Sequence, residues 1–180
     1  GIMYQNGNGV GQDEARAAEI FQMACDKGEV LTGCFNIGIM YQNGIGVGQD
    51  EARAAGLYQM ACTVGNEASC FNLGIMYQNG NGVGQDEARA VELYQMACDK
   101  GNTNGCTNAQ YIMNTKRLLK EASDLCFRGI AIQCIILGTS LEARSNRGLA
   151  TTVGAFEAFT KACRLGDPIG CGEANRISNQ

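Results

Sequence analysis

The chain has no histidine, no tryptophan and a single proline, and its 14 basic residues form no cluster. Without histidine there is no Ser-His or Cys-His catalytic pair and no imidazole to hold a metal. A net charge of −4 with no basic patch speaks against nucleic acid as a partner. No apolar run reaches the ~18 residues that cross a bilayer, so no membrane span is expected. The hydrophobic share, 45%, is that of an ordinary folded soluble protein.

Cysteine, by contrast, is abundant. Ten cysteines fall into five pairs: Cys25/Cys34, Cys62/Cys70, Cys98/Cys106, Cys126/Cys134 and Cys163/Cys171. Four pairs are eight residues apart, and the first is nine apart because GEVLTG carries one extra residue. An even count at regular spacing points to disulfides and an oxidising compartment. Zinc is the alternative, but structural zinc sites use close CxxC knuckles, which are absent. An exchange-active pair would also favour CxxC at a helix start. Recurrence of the same spacing at every joint points instead to structural bolts, each closing a loop of about nine residues and contributing roughly 2–3 kcal/mol.

The second abundant feature is repetition. GIMYQNG starts at Gly1, Gly38 and Gly74, a period of 37 and then 36 residues. A fixed period of that size marks a solenoid of helical hairpins. The clearest copy runs from Cys70 to Cys106: a leading helix, a glycine-rich turn and a trailing helix. Residues 1 to 6 read as the tail of a first leading helix, so the sequence opens inside a repeat, at the point matching Gly74. No leader is visible, which says nothing about the compartment.

Asp13 caps the first trailing helix, with Ala17, Ile20, Phe21, Ala24 and Cys25 as its inward stripe. Residues 30 to 43 form the next leading helix, with Cys34, Ile37, Gly38 and Tyr41 on one face. Its trailing partner, Asp50 to Gly65, turns Ala54, Leu57, Tyr58, Ala61 and Cys62 inward. Gly56 replaces the glutamate of positions 19 and 92 at a cost of about 1 kcal/mol. Gly74, in the middle of the third leading helix, marks a close helix contact.

After Cys106 the copies degrade. Only 20 residues separate Cys106 from Cys126, against 28 in the good units, and a short link is expected near Asn114. The next unit returns to 29 residues, with SNRGLATTVG in its turn. Asp167 and Pro168 open the last helix, which frays in SNQ.

CFNLGIMYQNGNGVGQDEARAVELYQMAC, with its LG, Y, GxGV, D and A-x-x-LY-x-x-A positions, resembles the Sel1-like repeat. The cysteine pairs joining successive helices are similar to the cysteine-rich bacterial branch of that family, the Helicobacter cysteine-rich proteins. The resemblance covers almost the whole chain. It implies an all-α, right-handed α/α superhelix of about five tetratricopeptide-like hairpins, and a secreted or periplasmic protein that binds other proteins. Some relatives carry a β-lactamase or penicillin-binding label, and mitochondrial relatives also hold disulfides.

Chemistry has little to stand on. GNGVG follows a helix rather than a strand and no GK[ST] comes after it, so it reads as a turn and not a phosphate cradle. None of Ser69, Ser123, Ser140, Ser145 and Ser178 begins an SxxK motif. The expectation is a non-enzyme without cofactor or metal, in one domain spanning residues 1–180. A β-lactam-binding or β-lactam-hydrolysing protein is the second reading. A redox or haem-related assembly helper, in the mitochondrial intermembrane space, is the third.

The candidate partner is a protein or an extended peptide. By the tetratricopeptide likeness the leading helices line the concave wall, presenting Phe35, Ile39, Gln42 and Asn43, then Phe71, Ile75, Gln78 and Asn79. Asn36, Asn72 and Asn108 recur two residues after the second cysteine of their pairs. They either tie the leading helix to the preceding turn or form an amide ladder able to clamp a peptide backbone. Phe and Ile equally suit packing between repeats. An apolar strip flanked by amides suits a neutral or weakly apolar peptide.

Overall fold

The computed structural model describes residues 1–127, 134, 137–141 and 152–178. The SNRGLATTVG turn as far as residue 151, and the fraying end at 179–180, lie outside the described residues. No strand occurs among the described residues. The fold class is the all-α helical-hairpin solenoid that the period implies. Contacts separate two compact units, Gly1–Ile112 and Met113–Gln180.

In the first unit, α1 (Ile2–Asn6), α3 (Phe35–Asn43) and α5 (Glu67–Asn79) lead; α2 (Glu14–Asp26), α4 (Glu51–Thr63) and α6 (Glu87–Asp99) trail. Each packs on the next in chain order. The trailing helices start alike because Asp13, Asp50 and Asp86 are extended and accept a backbone N–H three residues on, from Arg16, Arg53 and Arg89. Such a cap satisfies one of the orphan amides of the first turn and contributes about 1 kcal/mol. Each aspartate also donates its own N–H to the leading helix, at the carbonyls of Tyr4, Tyr41 and Tyr77 (2.8–2.9 Å). The turn between hairpin arms is therefore tied at both ends.

The buried stripes follow the sequence with small shifts. Ala54, Leu57, Tyr58, Ala61 and Cys62 of α4 are all buried. On α2 the buried set is Ala17, Ala18, Phe21 and Cys25, while Ile20 and Ala24 are half-buried. One cluster joins Ala54, Ala55, Tyr58 and Cys62 of α4 with Cys70, Leu73 and Met76 of α5 and Leu93 and Ala97 of α6. Its members come from two hairpins. A hairpin on its own would leave that face in water, which is why repeats of this kind stabilise one another.

Two glycine registers bring the helices together. A Cβ on Gly38 would stand 2.9 Å from the Tyr58 ring, and one on Gly74 2.7 Å from the Tyr94 ring. At the joints, a Cβ on Gly105 would stand 2.7 Å from the Tyr94 carbonyl oxygen. Ser69 holds the matching place at the second joint, where its Oγ is buried without a hydrogen-bond partner.

All ten cysteines are paired, in the five expected bridges, with Cα–Cα separations of 4.4–4.7 Å. The extra residue of GEVLTG is absorbed at the first joint as a π-helical turn, Val30–Cys34, ahead of α3. An inserted residue inside a helix is commonly accommodated this way. The leading helix expected over 30–43 is thus two segments with different hydrogen bonding.

A second difference follows Cys106. Instead of a link near Asn114, α7 (Thr103–Phe127) runs through it unbroken. The segment from Cys106 to Phe127 contains neither glycine nor proline, and Lys116, Arg117, Leu118, Leu119, Lys120, Glu121 and Ala122 follow the asparagine, so helix propensity carries the helix past it.

The second unit is built from the end of α7, residues 137–141, α8 (Thr152–Arg164) and α9 (Pro168–Ser178). Ala155, Phe159 and Ala174 form one buried group, and Cys126, Cys134 and Ala162 another. Gly138 repeats the glycine-under-ring arrangement: a Cβ there would stand 2.7 Å from the Phe159 ring.

Gly56 shows what one substitution does to a trailing helix. Arg16 pairs with Glu19 (2.8 Å) and Arg89 with Glu92 (2.6 Å), both exposed. With Gly56 in the glutamate's place, Arg53 lies over the Tyr41 ring at 4.3 Å and donates to Gln22 of α2 at 3.2 Å. A Cβ on Gly56 would meet nothing within 4 Å. Gly56→Ala is therefore expected to stabilise the protein by about 0.5–1 kcal/mol, from helix propensity alone. A denaturant midpoint that stays put or falls would refute that assignment.

Candidate partner-binding site

The leading-helix face of the first unit gathers the residues singled out in the sequence, but several are already engaged with neighbouring helices. Tyr58, fully buried on α4, donates its hydroxyl to Gln42 Oε1 of α3 at 2.7 Å. Burial pushes this hydroxyl up to about 12, and a hydrogen bond from Asn72 of α5 acts in the opposite direction. A bond that favours the phenolate is one in which the amide N–H donates to the oxygen. Tyr58 thus gives a proton to the helix before it and receives one from the helix after it.

The same arrangement recurs one repeat on. Tyr94 donates to Gln78 Oε1 at 2.6 Å, and burial raises its pKa against a hydrogen bond from Asn108 of α7. Gln42 and Gln78 are held further by Gln49 and Gln85, whose Nε2 groups donate to their backbone carbonyls at 3.0 and 2.9 Å. Asn36 differs: its Nδ2 donates to the Thr32 carbonyl inside the π-helical turn, at 2.8 Å.

Phe35 and Phe71 are half-buried and sit at the edges of the hairpin cores. Phe35 packs on the first two clusters and Phe71 on the second and third. Their rings tilt against the same tyrosines, at 6.2 Å for Phe35–Tyr58 and 5.6 Å for Phe71–Tyr94. Ile39 and Ile75, one turn on, are also half-buried against these clusters. Asn43 and Asn79 are exposed at the helix ends; Asn43 Nδ2 donates to the Ile39 carbonyl at 2.9 Å.

The hub residues Tyr58 and Tyr94 are not among the sequence candidates, although their register was available: Gln42–Tyr58 and Gln78–Tyr94 share one spacing, as do Tyr58–Asn72 and Tyr94–Asn108. Tyr111, 59% exposed, takes on α7 the place that Ile39 and Ile75 hold on their helices. It extends the leading-helix face by one rung.

The tyrosine hydroxyls give this region a pH signature. Their folded pKa lies above the unfolded value near 10, so the neutral form is favoured by folding. Stability from these groups is fully present below pH ~10 and is lost as pH rises through their raised folded values, about 12 for Tyr58. Tyr58 and Tyr94 are expected to ionise above the ordinary tyrosine range when phenolate absorbance is followed. Replacing either by Phe should remove one late step; a single unresolved step near pH 10 in the folded protein would contradict the geometry.

The Sel1 repeat family model matches residues 1–29, 32–66 and 67–102. No curated protein gives a significant match. Among solved structures, a protective antigen present in uropathogenic Escherichia coli strains, displaying an SLR fold, is 26% identical with a TM-score of 0.62. That match covers 98% of this chain, which spans only 39% of the antigen. A Sel1 repeat protein from Oxalobacter formigenes is 31% identical with a TM-score of 0.56, over 61% of this chain and 81% of its own. Helicobacter pylori cysteine-rich protein B is 30% identical with a TM-score of 0.49, over 51% of this chain and 68% of its own.

Proposed function

The chain belongs to the Sel1 repeat family, and from that premise we propose that it is a protein-interaction scaffold whose leading-helix face receives an extended, uncharged segment of a partner. The observation that carries this reading is the absence of charge on the leading arms. No charged residue occurs from Val30 to Gln49, from Ala68 to Gln85, or from Gly101 to Thr115. Apart from Glu67 at the very start of α5, the charge of α1 to α6 is carried by the trailing helices, their aspartate caps and the joints. A partner strand laid along α3, α5 and the start of α7 meets aromatic edges, isoleucines and amides.

Asn72 and Asn108 each interact with a buried tyrosine hydroxyl. A primary amide has two N–H donors and a carbonyl acceptor, so each retains bonding capacity for a peptide backbone. Contact with a buried tyrosine limits the rotamers of these amides, which lowers the ordering entropy that binding costs. Phe35 and Phe71 supply the apolar anchors, the kind of residue in which interface energy concentrates. Five bridges support a disulfide-permissive compartment, and the scaffold is read as secreted or periplasmic.

The test begins by capturing a partner with the oxidised protein and then measures affinities. Phe71→Ala is expected to weaken binding by about 1–3 kcal/mol, and Glu92→Ala, exposed on α6, to leave it unchanged. Melting is followed alongside, since Phe71 also packs between hairpins. A folded Phe71→Ala protein with undiminished affinity would dispose of this face.

A further inference from the structure

The five bridges share their spacing but not their exposure. Cys25 and Cys126 are 4% exposed, Cys62 1%, and Cys34, Cys70 and Cys134 are fully buried. Each of these three bridges belongs to a hydrophobic cluster. All four cysteines of the other two bridges, Cys98–Cys106 and Cys163–Cys171, are only half-buried, and none belongs to a buried cluster among the described residues. One such bridge lies in each compact unit.

We propose that Cys98–Cys106 and Cys163–Cys171 are thiol-exchange sites for a small soluble thiol of the glutathione class, while the other three bridges are closed to it. Exchange requires a thiolate to approach one sulfur in line with the S–S bond, and a bridge inside a packed core offers no such path until the structure opens. The half-buried pairs lie closer to the surface, where such an approach needs less opening.

The chemistry is a two-step transfer. An incoming thiolate bonds to one cysteine sulfur; the S–S bond breaks and its electron pair leaves on the other, which is released as a thiolate. A second thiolate then attacks the mixed disulfide, releasing the small-molecule disulfide and a second protein thiolate. Two electrons pass from two small thiols to the bridge. Between the steps the released thiolate remains in a short loop beside the mixed disulfide, so reclosure competes strongly. The site therefore senses the prevailing ratio of thiol to disulfide rather than opening irreversibly.

Opening either bridge loosens a joint without dissolving a core. At the third joint the Asn102 side chain still caps α7 by accepting from the Gly105 N–H at 2.8 Å. At the last, Asp167 accepts from Ile169 and Gly170 at 2.9 and 3.1 Å. Exchange here acts on the tie between successive helices.

The experiment treats the folded, oxidised protein with reduced glutathione, quenches with acid at intervals, alkylates free thiols and maps peptides by mass. The expected result is glutathione adducts and alkylated thiols on Cys98, Cys106, Cys163 and Cys171 first. Opening at the other three bridges should be slower by at least about tenfold, at the rate of local or global unfolding. The double variant Cys98→Ser, Cys106→Ser should lose one fast phase and keep that of Cys163–Cys171. A common rate for all five, a buried bridge opening first, or no adduct at either half-buried bridge would overturn the proposal. None of these outcomes depends on whether a peptide binds the leading-helix face.

Discussion

Complete reduction is expected to remove most of the stability of this protein. Each bridge closes a joint of eight or nine residues, worth roughly 2–3 kcal/mol in the chain-entropy model. A protein of this size has a margin of only about 5–15 kcal/mol. Full additivity would exceed that margin, but the five effects act on one denatured ensemble and will not sum completely. For a chain of this length a loss of several kcal/mol corresponds to a fall of about 15 °C or more in melting temperature. Melting the oxidised and the fully reduced, alkylated protein side by side reads the effect directly. Equal midpoints would mean that the joints are held by packing and caps alone.

The second large effect is expected at Gly82. This residue lies in the turn after α5 at φ +66, and a Cβ there would run into the backbone of Glu51 and stand 2.6 Å from the Ala52 amide. The turn of one hairpin is seated on the first turn of the preceding trailing helix. Gly46 repeats the arrangement one hairpin earlier, where a Cβ would run into the Glu14 backbone and stand 2.8 Å from the Ala15 amide. Gly82→Val combines a left-handed backbone, costing about 1–2 kcal/mol or more for a branched residue, with a backbone clash of about 1–3 kcal/mol. Together they should cost about 3 kcal/mol. Gly84, two residues on, has open space around it and no left-handed φ, so Gly84→Val should be nearly silent. Equal denaturant midpoints for the two variants would show that the turn is not seated as described.

The contrast between Gly82 and Gly84 shows what was legible in the sequence and what was not. GNGVG announced a turn, and Asp13 announced a capped helix, because both signals are local. Which glycine of the loop touches the preceding hairpin depends on stacking, and nothing in five adjacent residues encodes that. The pairing of the cysteines was equally local, since each loop is short. The π-helical turn at Val30–Cys34 was visible only as one surplus residue; its hydrogen bonding follows from the bridge holding both ends of the joint. Asn114 misled because an isolated asparagine is a weak breaker when leucine, lysine and alanine surround it.

For the proposed partner-binding face, the register of Phe71, Ile75 and Asn79 could be read from the repeat. Tyr58 was legible as core but not as the link between Gln42 and Asn72. That link joins three helices, whereas a hydrophobic stripe describes only one. The same limit hid Tyr111, since α7 no longer carries the repeat motif that would have drawn attention to it.

The local bridges also have a mechanical meaning. Each covalent tie spans a joint between two antiparallel arms, with Cα atoms under 5 Å apart. Under tension on the chain, the residues inside a tied joint cannot extend. At about 3.5 Å per residue, eight residues of separation withhold on the order of 25 Å of contour at each tie. A hairpin torn open by force would stop at the next bolt, with its cysteines still adjacent and its helix caps in place to guide refolding.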